Sequence, residues 1–148
     1  MSAEKILGDW KKKLFKPVYW LEGEEDYYID KIMNYAEHHL LPESEASFNL
    51  TVFYGKDANW SDIVNACMRY PMFAEKQVVL LKEAQQMKDV DKLENYIEHP
   101  LASTIFVVSH KEKTINKTTK LGRLVKKNAE LFNSEKIKDY KLKSCAFT

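Results

Sequence analysis

Hydrophobic positions change period several times along the chain, and each change marks a new element. Pro17-Val18-Tyr19-Trp20-Leu21 concentrates β-branched and aromatic residues, which suit a pleated, buried surface and predict a strand. Glu22-Gly23-Glu24-Glu25-Asp26 then reads as a turn. Ile29, Ile32, Met33, Ala36 and Leu40 recur at helical spacing, with acidic residues at the positive end of the helix, and Pro42 stops the run. Phe48, Leu50, Val52 and Tyr54 alternate, which predicts a second strand closed by Gly55. Trp60, Ile63, Val64, Cys67 and Met68 mark a second helix, with Asn59 as its cap and Asp62 in its first turn. Pro71 ends it, because the residue before a proline is pushed out of helical geometry.

Further on, Gln77 to Lys82 predicts a third strand, and Val90, Leu93 and Ile97 a third helix closed by Pro100. Thr104 to Ser109 is a fourth strand, and Leu121, Leu124 and Val125 sit on a fourth helix. Ala129-Glu130-Leu131-Phe132 is a candidate short fifth strand. The third and fourth strands are apolar at successive positions, so both their faces are buried, as in the centre of a parallel sheet. Strand and helix alternate throughout. The expected fold class is therefore α/β, a mostly parallel sheet with helices on both faces. There is no internal repeat or low-complexity segment.

Composition narrows the class. A chain of 148 residues suits one domain, and 45% apolar with 30% charged residues is ordinary for a globular protein and excludes disorder. No apolar run approaches the roughly 20 residues of a membrane span. The N-terminus carries no apolar signal core, so a cytoplasmic protein is expected. Cys67 and Cys145 are isolated, with no Cys-x-x-Cys and no Cys/His cluster, which predicts reduced thiols and no zinc. Net charge is +1 but uneven: from Lys111 onward eleven Lys/Arg face four Asp/Glu, leaving the earlier part acidic. Such a basic segment suits a nucleic-acid edge, a partner subunit or simply a solvated helix face.

Two places carry chemistry. In nucleotide-binding α/β domains the turn after the first strand cradles phosphate on backbone N–H groups. A P-loop there needs GxxxxGK[ST]. This chain has Gly23-Glu24-Glu25-Asp26-Tyr27-Tyr28 instead: one Gly, no Lys and three consecutive acids that would repel a triphosphate. The position of a phosphate loop is present without its chemistry. The carboxylates either complement the helix end or hold a metal, and adjacent side chains that fan out around a helix favour the first.

The second place is Arg69-Tyr70-Pro71-Met72-Phe73-Ala74-Glu75, between the second helix and the third strand. Met72 and Phe73 are large apolar residues in an expected surface loop, stiffened by the fixed φ of Pro71. Either they fold back under the loop and complete the core, or they form an apolar knob that anchors an interface.

These residues carry a resemblance. Lys16-Pro17-Val18-Tyr19-Trp20-Leu21-Glu22-Gly23-Glu24-Glu25-Asp26-Tyr27-Tyr28-Ile29 resembles the opening of bacterial DNA polymerase III delta subunits. Tyr70-Pro71-Met72-Phe73-Ala74-Glu75-Lys76 and the apolar strand after it resemble that family's second signature, and Thr104 to Ser109 is similar to its next strand. The resemblance implies an AAA+ ATPase-like fold with a degenerate phosphate loop at Gly23, Glu24, Glu25 and Asp26, and no cofactor of its own. It implies a clamp-loader subunit that grips the sliding clamp of the replicative polymerase through Met72 and Phe73. Tyr70, Pro71 and Ala74 would support the loop, and Arg69 and Lys76 would steer the approach. The implied partners are the clamp (the beta subunit), the delta-prime and gamma/tau loader subunits, and DNA through the complex. Full-length members are roughly twice this size or more, with lid and collar domains. Residues 1–148 are therefore expected to be the N-terminal domain, with the lid beginning after about residue 140.

Outside these places, catalytic constellations are missing. His38 and His39 are adjacent and diverge on a helix, His99 and His110 are scattered, and neither GxSxG nor HExxH occurs. The competing expectations are a divergent nucleotide-binding enzyme, which the acidic turn opposes, and a nucleic-acid-binding domain. The latter would use the basic segment, where Phe132, Tyr140 and Phe147 are sparse for stacking.

Overall fold

A computed structural model describes residues 2–134. In chain order the elements are α1 (Ala3–Lys11), β1 (Val18–Gly23), α2 (Asp26–His39), α3 (Glu43–Asn49), β2 (Leu50–Tyr54), α4 (Trp60–Cys67) and β3 (Gln77–Lys82). Two 3-10 turns, Ala84–Gln86 and Val90–Leu93, lead into α5 (Glu94–Ile97). β4 (Thr104–Lys111), α6 (Lys120–Asn128) and β5 (Glu130–Ser134) follow. The five strands form one sheet in the order β2-β3-β4-β1-β5, and every neighbouring pair is parallel.

Strand alternation explains why both faces are apolar. Val18, Trp20, Val79, Leu81, Phe106 and Val108 point to one side and pack with Ile63, Leu93, Leu121 and Val125 from α4, the turn before α5, and α6. Tyr19, Leu21, Val78, Leu80, Ile105 and Val107 point to the other and pack with Ile6 and Trp10 of α1 and Ile29, Ile32 and Met33 of α2. Each successive residue of β1, β3 and β4 thus enters a different core, so these strands read as continuous hydrophobic runs.

This architecture adds one element and corrects three expectations. The amino-terminal helix was not read from the pattern, although Ser2 caps it through its side chain, and Ala3, Ile6 and Trp10 bury one face. Phe48 lies in α3, not in the second strand; Pro42 caps that helix and its first turn is acidic, so alternation begins only at Leu50. The third helix is two short pieces. Glu22 and Gly23 continue β1, and Ser109 is followed in β4 by His110 and Lys111, because their backbones pair across the sheet. Cys145, Tyr140, Phe147 and the expected start of a lid lie outside the described residues.

Candidate functional site

A parallel sheet has two chemically different edges, and the two places singled out above fall on opposite ones. The turn after β1 leaves at the carboxyl edge, whereas the loop of residues 68–76 enters β3 at the amino edge.

At the carboxyl edge only Glu24 and Glu25 separate β1 from α2, too few for an eight-residue phosphate loop. Two of the amides there are already used. Glu25 N donates to the Ser134 carbonyl at 3.1 Å, and Tyr27 N donates to the Glu25 carboxylate at 3.1 Å, so Glu25 caps α2. Gly23 sits at φ +127°, and a Cβ there would lie 2.1 Å from the Ser134 carbonyl oxygen, so β5 closes directly over the turn. Beside it Glu22 is fully buried, accepts from Trp20 Nε1 and Ile115 N, and pairs with Lys117. Lys111 bridges Asp30 at 2.6 Å and Glu83 at 3.0 Å. Burial alone would lower its pKa, but the hydrogen bonds it donates to those two carboxylates, with their charge, outweigh burial and raise it. Among the described residues no group of three or more His, Cys, Asp or Glu side chains is arranged to share an ion.

The amino edge is different in character. Leu14, Phe48, Met68, Tyr70, Met72 and Phe73 are large, exposed hydrophobics in segments that lead into strands at this edge; of the others, Tyr27 and Tyr54 lie toward the opposite edge. Phe73 is 92% exposed and Met72 53% exposed. Phe73 also has φ +57°, a left-handed conformation that costs an L-residue roughly 1–2 kcal/mol. A bulky residue held this way implies that the surroundings dictate the loop.

Those surroundings are buried polar side chains. At the root, Gln77 Nε2 lies within hydrogen-bonding reach of the carbonyls of Ala66 at 3.1 Å and Arg69 at 2.6 Å and of Thr104 Oγ1 at 2.9 Å. Thr104 Oγ1 in turn donates to the Cys67 carbonyl at 2.6 Å. The end of α4, whose last carbonyls have no intrahelical partner, is therefore capped from β3 and β4. At the tip, Asn49 donates to the Met72 carbonyl at 2.8 Å and accepts from Met72 N at 2.7 Å. On the exit side Lys76 Nζ donates to the Ala102 carbonyl, which ties down a side chain expected to be free for steering.

Pro71 and Ala74 are half-buried within the loop, but Tyr70 is 85% exposed and does not lie beneath it. Its ring belongs to the apolar tip, and bracing falls to Asn49, Gln77 and Thr104, none of which the sequence reading singled out. Beside Phe73 lies a shallow depression of about 510 Å³, floored by Phe15, Leu40, Leu41 and Ile105 and flanked by Lys13 and Glu45. Burial pushes the Cys67 thiol well above its ordinary range, so beneath this loop it stays protonated. The described part of the basic segment places Lys120, Arg123, Lys126 and Lys127 exposed on α6.

Sheet order and helix placement define an α/β domain in which a five-stranded parallel sheet carries a helix-covered core on each face. Solved structures support that class. The chain superposes on the Bacillus subtilis DNA clamp loader delta protein with TM-score 0.84 at 22% identity, covering 97% of this chain and 45% of that one. A DNA polymerase III gamma subunit-related protein from Thermotoga maritima matches with TM-score 0.60 at 13% identity over 95% of this chain and 48% of that one. A Thermotoga maritima RuvB mutant matches at 0.51 and 13%, over 96% and 47%. In sequence the chain is 25% identical over 137 residues to the Bacillus subtilis DNA polymerase III subunit delta, covering 86% of this chain and 40% of that protein. The family model for the DNA polymerase III delta subunit matches residues 19–135, and the chain belongs to that family. It spans less than half the length of these relatives.

Proposed function

We propose that this chain is the N-terminal domain of a clamp-loader delta subunit and docks on the polymerase sliding clamp through Met72 and Phe73. The observation that carries the proposal is a phenylalanine 92% exposed in a left-handed backbone, on a loop held by buried side chains from α3, β3 and β4. Exposing such a ring costs hydration free energy in the isolated domain, and a cavity on a partner recovers it. Membership of the DNA polymerase III delta family supports this choice of partner. Within a longer chain carrying lid and collar domains, the domain works beside the delta-prime and gamma/tau subunits. It reaches DNA through the complex, in the bacterial cytoplasm, and takes no nucleotide of its own.

Energetics limit what the tip does alone. Fully burying one such side chain contributes roughly 1.5–3 kcal/mol. Turning a ring from mostly closed to mostly open requires a differential affinity of about 5.5 kcal/mol. Met72 and Phe73 together reach that only if nearly all their binding energy is realised in the open form, so they act as an anchor that the rest of the interface reinforces.

Calorimetric titration of the sliding clamp from the same organism with the wild type and with Met72→Ala/Phe73→Ala tests the assignment. The double variant is expected to bind at least about a hundredfold more weakly, the equivalent of losing roughly 3 kcal/mol of burial. Unchanged affinity overturns the docking role.

A further inference from the structure

We propose that Asn49 is the positioning residue that holds the Met72–Phe73 tip in its docking shape. This deepens the reading above, and only its binding arm rests on that reading.

Asn49 ends α3 and is 3% exposed, although asparagine is usually a surface residue. A buried carboxamide is tolerated only when its donors and acceptor are used. Here Nδ2 donates to the Glu45 carbonyl at 3.1 Å and to the Met72 carbonyl at 2.8 Å, while Oδ1 accepts from Met72 N at 2.7 Å. The last two bonds form a closed pair in which the side chain imitates a neighbouring peptide edge. The contact bridges 23 positions of sequence. Among the described residues no backbone–backbone hydrogen bond involves residues 70–76, so Asn49 supplies what a sheet or turn would otherwise provide at the tip.

The chemistry of the position is narrow. Met72 offers one donor and one acceptor a fixed distance apart, and a primary carboxamide matches both at once. An aspartate offers only acceptors at neutral pH, and leucine offers volume without either. With the Met72 peptide pinned, the next residue is Phe73, whose φ of +57° turns its ring outward into solvent. Releasing the pin frees Phe73 to leave the left-handed region, and the tip must then be ordered at the moment of binding.

The test uses Asn49→Leu, which keeps the buried volume, with Asn49→Ala as a second variant. In the protein alone, hydrogen exchange of the Met72 amide is expected to accelerate by roughly three- to tenfold, the equilibrium worth of a net hydrogen bond, while core amides of β3 and β4 keep their rates. Clamp titration is expected to show a similar loss of affinity with Met72 and Phe73 intact. In a Phe73→Ala background the same substitution is expected to cause little further loss, because both changes act on one tip. Unchanged Met72 exchange overturns the inference, and so does a loss of affinity equally large in both backgrounds. If Phe73→Ala alone binds the clamp as wild type does, the docking role falls instead, and Met72 exchange still decides the role of Asn49.

Discussion

Replacing Gln77 with methionine keeps nearly the same length and volume but removes the carboxamide at the root of the apolar loop. Nε2 carries two hydrogens and lies near four acceptors: the carbonyls of Ala66, Cys67 and Arg69, and Thr104 Oγ1. At most two of these are full bonds at once, the 2.6 Å contact to Arg69 and the 2.9 Å contact to Thr104 being the shortest. The site is buried, so water does not replace them readily. Leaving buried acceptors without donors costs about 1–3 kcal/mol each, so a loss of roughly 2–6 kcal/mol is expected from two. Urea unfolding followed by circular dichroism measures it as a lower midpoint at constant slope. Hydrogen exchange of residues 68–76 should accelerate beyond what the global change explains, since the end of α4 loses its cap. A stability change below about 0.5 kcal/mol, the size of an ordinary surface substitution, would refute the claim that this carboxamide anchors the loop.

Three other outcomes follow from the same structure. Phe73→Ala alone should leave unfolding free energy within about 0.5 kcal/mol of wild type in denaturant titration, because an exposed ring contributes no core packing. Gly23→Ala should be severely destabilising, by roughly 3 kcal/mol or more in thermal unfolding, since it combines positive-φ strain with a clash against the Ser134 carbonyl. Stability should fall as pH rises past about 9, the ordinary value of the Cys67 thiol: the unfolded chain then releases a proton that burial keeps on the folded one. Burial likewise raises Tyr96, to about 12, and the hydrogen bonds of Lys111 raise that group against the cost of burial. Both hold protons longer in the folded state, so their contributions are lost in the same alkaline direction. Thermal unfolding between pH 7 and pH 10 checks the sign.

How much was legible in the sequence depended on the range of the interaction. Strands β3 and β4 stood out because burial on both faces turns each into an unbroken apolar run, a property of the residues themselves. The tip was visible for a local reason too, since Pro71 stops a helix next to two large apolar residues. Its supports were not visible. Asn49 looks like any helix-end asparagine, and Gln77 like the polar start of a strand; their partners lie 23 and up to 27 positions away. Glu22 was read as part of a turn for the same reason, because its neutralising contact is Lys117, 95 positions on. α3 escaped notice because seven residues give barely two turns from which to read a period, and Phe48 happens to be in phase with the alternation that follows. The apolar amino edge is a product of topology: Leu14, Phe48 and Phe73 come to one side only because all five strands run parallel.

The most direct test of the docking role follows the methionine methyl groups by NMR in protein labelled with 13C at methionine, as the sliding clamp is added. Met33 and Met87 are buried, whereas Met68 and Met72 are exposed, so the resonances report the core and the amino edge separately. The Met72 methyl should shift and broaden in proportion to complex formed, with Met33 and Met87 unmoved. A complex that forms with the Met72 resonance unchanged would contradict insertion of the tip into the clamp.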